Sequence, residues 1–155
     1  MSYLVVKYLH VLGAIMVLGT GLGIAFFMLM AHRSGDAAFV ARTAEVAVVA
    51  DWVFTATAVA AQPLTGFALM HMTGVTTAQG WVAASFVLFA VAGAAWLPVV
   101  WIQIRLRDLA REAARSGATL PERYRKLFRA WMLLGVPGFA SVLAIVWLMV
   151  AKPSF

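Results

Sequence analysis

Four long apolar segments, each bounded by polar or turn-forming residues, follow one another through the chain. They cover residues 4–30, 46–70, 81–104 and 131–150. An α-helix rises about 1.5 Å per residue and needs about 20 mostly apolar residues to cross the hydrocarbon core, so each segment is long enough to span a membrane. We therefore predict an all-α, polytopic membrane protein in which residues 1–155 form a single transmembrane four-helix bundle.

Composition supports a membrane protein and excludes several kinds of site. Charged residues make up 12% of the chain, whereas a soluble domain carries roughly 25%. The chain has no cysteine, which excludes disulfides, iron–sulfur clusters, thiolate zinc sites and covalently attached c-type haem. The residue patterns of hydrolytic triads, zinc peptidases and phosphate-binding loops are also missing from the sequence. We predict no catalytic residue and leave open whether the protein is an enzyme.

The basic residues are distributed unevenly around the predicted spans. Residues 31–45 and 105–130 connect spans on the same side of the membrane, and they hold ten of the twelve lysines and arginines. The other side has only Lys7 and Lys152. Because cytoplasmic loops are enriched in lysine and arginine, we expect both termini and residues 71–80 to face outward, into the periplasm of a bacterium. The expected location is the bacterial inner membrane, and this topology explains the net charge of +6 without a nucleic-acid partner.

The connection between the third and fourth spans is predicted to be helical on both sides of a tight turn. Residues 105–115 continue the third helix, and the Ser-Gly pair at 116–117 ends it because glycine adopts the left-handed conformation that a helix C-terminus favours. Residues 119–122 (Thr-Leu-Pro-Glu) are typical of a helix start, so the fourth helix is expected to begin near Leu120. Residues 105–130 would form a basic cytoplasmic hairpin that contacts anionic lipid or a protein partner.

His10 is the candidate functional residue of the first span. An ionisable side chain inside a membrane span is costly and marks a functional site by default. On a helical wheel Lys7, Gly13 and Gly21 lie within about 60° of His10, so one face combines two basic groups with a strip of small residues. The glycines either allow neighbouring helices to approach closely or leave room for a flat cofactor beside His10.

His71, at the end of the second span, is the candidate partner of His10. Both histidines lie toward the outer surface on antiparallel helices, and two facing histidines at one depth can serve as axial ligands of a b-type haem. Lys7 would then neutralise a haem propionate, and a homodimer could share one haem between chains. The alternatives are that His10 hydrogen-bonds a neighbouring helix while His71 lies at the interface, or that Met70-His71-Met72 binds copper, which would require an irregular segment there.

Two further residues carry predictions about packing. Asp51 lies near the cytoplasmic start of the second run, where it would pair with Arg42 or Arg105, cap the helix, or take part in a proton relay. Trp131 is one of four tryptophans near predicted span ends, where amphipathic rings favour the membrane interface.

Several motifs resemble those of a bacterial family of small four-helix predicted integral membrane proteins of unknown function. They are Lys-Tyr-Leu-His-Val-Leu-Gly-Ala at residues 7–14 followed by Gly19, Pro-Leu-Thr-Gly at 63–66, and Leu-Met-Val-Ala-Lys-Pro at 148–153. The first-helix motif is also similar to that of HemJ-type protoporphyrinogen oxidases, where a first-helix histidine is implicated in haem binding, and of CopD-type copper-resistance membrane proteins. The resemblance implies that His10 corresponds to the family histidine. It implies no oxidase activity, because the other residues of that active site are not located in this chain.

The sequence thus supports two hypotheses about function. In the first, the protein binds haem b through His10 and His71 and takes part in electron transfer or haem-linked redox chemistry with a membrane quinone or a periplasmic partner. In the second, it is a non-catalytic membrane subunit or a copper-handling membrane protein.

Overall fold

The computed structural model describes residues 2–154, which are almost entirely helical and include no β-strand. The helices are α1 (Ser2–Ser34), α2 (Ala37–Ala50), α3 (Ala56–Thr73), α4 (Gly80–Ser116) and α5 (Glu122–Ala151). A π-helical turn, Asp51–Thr55, joins α2 and α3 into one continuous rod. The α2–α3 rod and the three other helices are each long and apolar enough to cross a membrane. The predicted all-α protein with four such helices is confirmed.

The first connection is much shorter than the sequence predicts. Only Gly35 and Asp36 interrupt the helices: Gly35 adopts a left-handed φ of 71°, and the Asp36 carboxylate accepts the N–H groups of Ala38 at 2.8 Å and Phe39 at 3.3 Å. The second span therefore begins at Ala37, nine residues before its apolar run. At 1.5 Å per residue this places Asp51 roughly 21 Å along the rod, rather than one turn from its start.

The connection between α4 and α5 is also a compact turn. Gly117 takes a left-handed φ of 65°, and its N–H caps the carbonyls of Ala113 and Ala114 at the end of α4. The fifth helix begins at Glu122, two residues later than predicted, because Pro121 is still extended with ψ 160° and occupies the N-cap position. The bundle consequently has a basic end, which carries this connection and the Gly35–Asp36 turn, and a terminal end, which carries both termini and residues 74–79.

The tightly packed core lies in the basic half of the bundle. A stripe of alanines on one face of α2 allows close approach to α4, where the facing residues are equally small or branched. Fully buried members of this core include Met28, Val40, Ala44, Leu106, Ala110 and Tyr124. Since small side chains let the helix backbones approach closely, the helices in this half of the molecule are tightly packed.

The helices pair differently in the terminal half. There α1 packs against α3, and α4 packs against α5, whereas α3 and α4 meet mainly where Phe67 and Phe86 stack with their ring centroids 5.3 Å apart. The two helix pairs enclose a cavity of about 460 Å³ in the middle of the bundle. The outside of the bundle is strongly apolar, with large exposed side chains such as Tyr8, Phe27 and Leu133. A soluble monomer rarely exposes so large an apolar surface, so this surface fits lipid.

Candidate functional site

His10 lies on α1 near the terminal end and faces α3. Its Nδ1 atom is 2.8 Å from Oγ1 of Thr65, and the two residues are 55 positions apart in the chain. Gly66 lies beside the same imidazole, since a Cβ atom built on Gly66 would be 3.5 Å from Cε1 of His10. The Thr65-Gly66 pair on α3 therefore forms the surface against which the half-buried His10 ring is held.

The contacts of Thr65 favour the imidazole tautomer of His10 that carries its proton on Nδ1. Oγ1 of Thr65 lies 2.8 Å from the carbonyl oxygen of Ala61 and 3.1 Å from that of Gln62, so the hydroxyl proton is directed to the helix backbone. Oγ1 is then left to accept the Nδ1–H of His10. Nε2 consequently keeps its lone pair, and it makes no hydrogen bond to any residue within 2–154. With its Nδ1–H held by an oxygen acceptor in this way, the ring has its other nitrogen free to accept a hydrogen bond or to bind a metal ion.

A second contact between α1 and α3 supports the backbone at His10. The side-chain amide of Gln62 donates from Nε2 to the carbonyl oxygen of His10 at 2.8 Å. Gly13 makes room for this amide, because a Cβ atom at Gly13 would collide with Nε2 of Gln62. The prediction that Gly13 leaves space for a cofactor is therefore corrected: Gln62 fills that space.

The packing of Gln62 on Gly13 predicts different results for two glycines of α1. Gly13→Leu should lower the free energy of unfolding by about 1–3 kcal/mol, because it overpacks the helix contact and displaces the Gln62 amide. Gly19→Leu is the matched control, since Gly19 is exposed and nothing lies within 4 Å of an added Cβ atom. Unfolding of both variants in mixed detergent micelles measures the difference. Equal stability of the two variants would contradict the packing described here.

Two other residues predicted on the His10 face lie apart from the Gln62 contact. Gly21 lines the central cavity, and nothing lies within 4 Å of a Cβ atom built there. Lys7 is exposed near the terminal end, with its Nζ atom 5.8 Å from the centre of the Tyr3 ring. It forms no salt bridge with a carboxylate in the described part of the chain, so its ammonium group is available to an anionic group of a ligand.

His71 is not brought to His10 within one chain. It is exposed on α3, six residues beyond Thr65, which corresponds to about 9 Å along the helix axis. The helix remains regular through Thr73, so the side chains of Met70, His71 and Met72 point in different directions and do not form the irregular copper site. Across residues 2–154, no group of three or more His, Asp or Glu side chains is arranged to hold a metal ion.

Asp51 belongs to a second polar cluster, near the middle of the bundle. Its Oδ2 atom accepts a hydrogen bond of 2.8 Å from Nε2 of Gln103, and Oε1 of Gln103 accepts one of 3.2 Å from Nε1 of Trp131. All three side chains are buried, with Gln103 at 0% exposure. Asp51 therefore does not pair with Arg42 or Arg105, which was one of the alternatives predicted for it. Trp131 is buried in the bundle and is not at the predicted interfacial position, because Gln103 of α4 bridges Asp51 of the rod and Trp131 of α5.

His32 lies near the end of α1 at the basic end of the bundle, where it packs against aromatic residues of α5. Its ring stacks on Phe128 with centroids 3.9 Å apart and lies 5.7 Å from the ring of Tyr124. The histidine therefore contributes to the core contact between α1 and α5 and is not a simple surface residue.

Thr65 and Gln62 are the site residues that sequence reasoning missed. Both are polar side chains in an otherwise apolar run, three positions apart, so they lie on one face of the helix. That spacing is the signal that could have identified them. Gln62 immediately precedes the Pro-Leu-Thr-Gly motif at residues 63–66, and Thr65 belongs to it.

Four apolar helices of membrane-spanning length define a multi-pass integral membrane protein. The family model of the predicted integral membrane protein DUF2269 matches residues 4–153, and the chain belongs to this family. The resemblance to a family of small four-helix membrane proteins is thereby confirmed. No curated protein and no solved structure matches the chain.

Proposed function

We propose that this protein binds haem b in the bacterial inner membrane, with His10 as an axial ligand. Its role is electron transfer or haem-linked redox chemistry with a membrane quinone or a periplasmic partner. The observation that carries the proposal is the hydrogen bond between Nδ1 of His10 and Thr65, which leaves Nε2 as a lone-pair donor. Bound haem would supply one-electron redox chemistry at this position.

Three residues around His10 support the proposal. Thr65 holds the imidazole in one tautomer and orientation, as acceptors behind metal-binding histidines do. Gly66 lets the ring lie against α3 without a side chain in between. Lys7, about one turn nearer the terminal end, would pair with a propionate.

His71 of the same chain lies about 9 Å farther along α3 than Thr65 and is exposed, so the proposal does not assign it as a second haem ligand. A bis-histidine haem would thus need a second copy of the chain. Carbon monoxide tests for a second ligand: a shift of the reduced Soret band on its addition would indicate that no second side chain holds the haem, and no shift would indicate that one does.

The proposal is tested by the visible spectrum of protein purified in detergent from haem-replete cells. We expect a Soret band in the oxidised protein and α and β bands after dithionite reduction. A flat visible spectrum would contradict the proposal.

We also propose that the terminal end faces the periplasm and the basic end faces the cytoplasm. Ten of the twelve lysines and arginines lie at or near the basic end, and only Lys7 and Lys152 lie near the other. A phosphatase reporter that is active only in the periplasm should therefore be active when fused after residue 155 and inactive when inserted at residue 118. The reverse pattern would overturn this topology and place His10 on the cytoplasmic side.

A further inference from the structure

The central cavity opens to the side of the bundle, between α1 and α5. Among the residues that line it, Leu22 of α1 and Val136 and Leu143 of α5 are also exposed on the outside, at 60%, 64% and 48%. These residues lie in the apolar middle of helices that are long enough to span a membrane, so the opening faces the hydrocarbon core of the bilayer. The cavity is therefore accessible to the chains of membrane lipids.

The cavity has the length of one lipid chain. Its wall on α1 runs from Ala14 to Ala25, eleven positions that correspond to about 17 Å along the helix axis. One leaflet supplies half of a hydrocarbon core about 30 Å thick, so an acyl chain extends over about 15 Å. Gly21 lies in this part of α1 with no atom within 4 Å of an added Cβ atom, so the space beside it is open.

Two arginines lie beyond the opening, at the basic end. Arg33 is eleven positions after Leu22 on α1, which places the two side chains within about 20° of each other around the helix. Arg129 is seven positions before Val136 on α5, and these two side chains also differ by about 20°. Both arginines stand just outside the apolar segments of their helices, at the level where lipid head groups lie.

The contact between α1 and α5 brings the two arginines close to one level. The rings of His32 and Phe128 stack with their centroids 3.9 Å apart, and Arg33 and Arg129 each follow one of these rings in the chain. Because the helices are antiparallel, a step of one position turns both side chains toward the same side of the pair. Both arginines are exposed, and neither forms a salt bridge with a carboxylate in residues 2–154. Two such guanidinium groups suit a phosphate.

We propose that an anionic glycerophospholipid binds between α1 and α5, with its phosphate at Arg33 and Arg129 and one acyl chain in the cavity. On α5 the cavity begins at Trp131, two positions or about 3 Å from Arg129 along the helix axis, so head group and chain reach their sites together. Arg125, farther from the membrane on α5, already has the carboxylate of Glu122 at 3.8 Å. The phosphate is therefore assigned to the two arginines without a carboxylate partner.

The charge of the site favours an anionic lipid over a zwitterionic one. A zwitterionic phospholipid would bring an ammonium group to the same arginines, and repulsion between like charges would offset part of the attraction to its phosphate. Phosphatidylglycerol carries the phosphate without a cation. Basic sites between membrane helices at the cytoplasmic side are typical positions for anionic head groups. The inference does not depend on haem binding, because His10 does not line the cavity.

Native mass spectrometry of the delipidated full-length protein in a non-ionic detergent tests the head-group contact. The protein is titrated with phosphatidylglycerol and with phosphatidylcholine that carries the same chains. We expect saturation at one phosphatidylglycerol per chain and weaker binding of phosphatidylcholine. Arg33→Gln and Arg129→Gln, which change exposed side chains, should each lower the affinity for phosphatidylglycerol about fivefold.

Arg123→Gln is the matched control for the two arginine variants. Arg123 is exposed, forms no salt bridge within residues 2–154, and lies six positions before Arg129, about 120° away around the same helix. This variant should change the affinity by less than about twofold. Equal affinities for the two lipids, or equal losses in the variants at 33, 123 and 129, would show unspecific attraction of charge and overturn the inference.

A pair of glycine variants on α1 tests whether a chain lies in the cavity. Gly21→Leu fills the cavity and should weaken binding of both lipids about tenfold. Gly19→Leu adds the same side chain outside the cavity, where Gly19 is exposed, and should change either affinity by less than about twofold. Equal affinities of these two variants would show that the lipid is held without a chain in the cavity, and the proposed site would be wrong.

Discussion

His10→Ala protein from haem-replete cells is expected to contain no haem, whereas His71→Ala and His32→Ala should retain the full amount. The reason is that, of the three histidines, only His10 has its Nδ1–H held by Thr65, which leaves a lone pair on Nε2 for the haem iron. His71 is exposed at the end of α3, and His32 is stacked on Phe128 at the opposite end of the bundle. Haem per chain, measured as the pyridine haemochrome, gives the comparison.

Thr65 provides a graded test of the same site. Thr65→Val keeps the shape of the side chain but removes the acceptor of the Nδ1–H, and haem affinity should fall by about 10–100-fold. The midpoint potential should also rise, since the imidazole becomes a weaker electron donor. Thr65→Ser keeps the hydroxyl and should behave as the unmodified protein. Full haem loss in His71→Ala, or an unchanged potential in Thr65→Val, would contradict the assigned roles.

Gln103→Leu is expected to destabilise the protein by about 3–5 kcal/mol. The substitution removes the amide that donates to Asp51 and accepts from Trp131, so it leaves a buried carboxylate without this donor and a buried indole N–H without its acceptor. Gln79→Leu is the matched control, because Gln79 is exposed and its side chain caps nothing; it should change stability by less than about 0.5 kcal/mol. Unfolding in mixed micelles measures both variants.

A double variant tests whether the cost arises from the Asp51–Gln103 contact. Replacing both partners of a buried hydrogen bond by apolar groups is less costly than removing one. The variant with both Asp51→Leu and Gln103→Leu should therefore be more stable than Gln103→Leu alone. If the two substitutions were additive, the contact would have no energetic role.

The four helices were predictable because the bilayer imposes a simple length and composition on them. Runs such as 4–30 and 131–150 contain almost no charge, and nothing except a membrane span explains them. The start of α2 was missed because Arg42 and Glu45 make that stretch read as a loop, although Asp36 caps a helix that begins at Ala37. Amphipathic helical turns outside the hydrocarbon core lack the hydropathy signal that identifies spans.

Of the candidate site, the sequence predicts only His10, whose energetic cost in a membrane span is visible from its local sequence. His10 stands out because an ionisable group in an apolar run is rare. Its neighbour on α3 depends on the register between two helices, and hydropathy does not encode register. That register brings Thr65 rather than His71 to His10 and places Gln62 against Gly13. The contact of Asp51 with Gln103 likewise depends on tertiary packing, 52 residues apart in the chain.

Ligation of haem by the imidazole at position 10 is tested most directly by chemical rescue. Haemin is titrated into the haem-free protein and into its His10→Gly variant, with the Soret band as the signal. For the unmodified protein we predict saturation at one haem per chain, or at one haem per two chains if a homodimer shares it. The His10→Gly variant should show no specific Soret band. Addition of free imidazole to that variant should restore the band. A His10→Gly variant that binds haemin as well as the unmodified protein without imidazole would show that His10 is not the ligand.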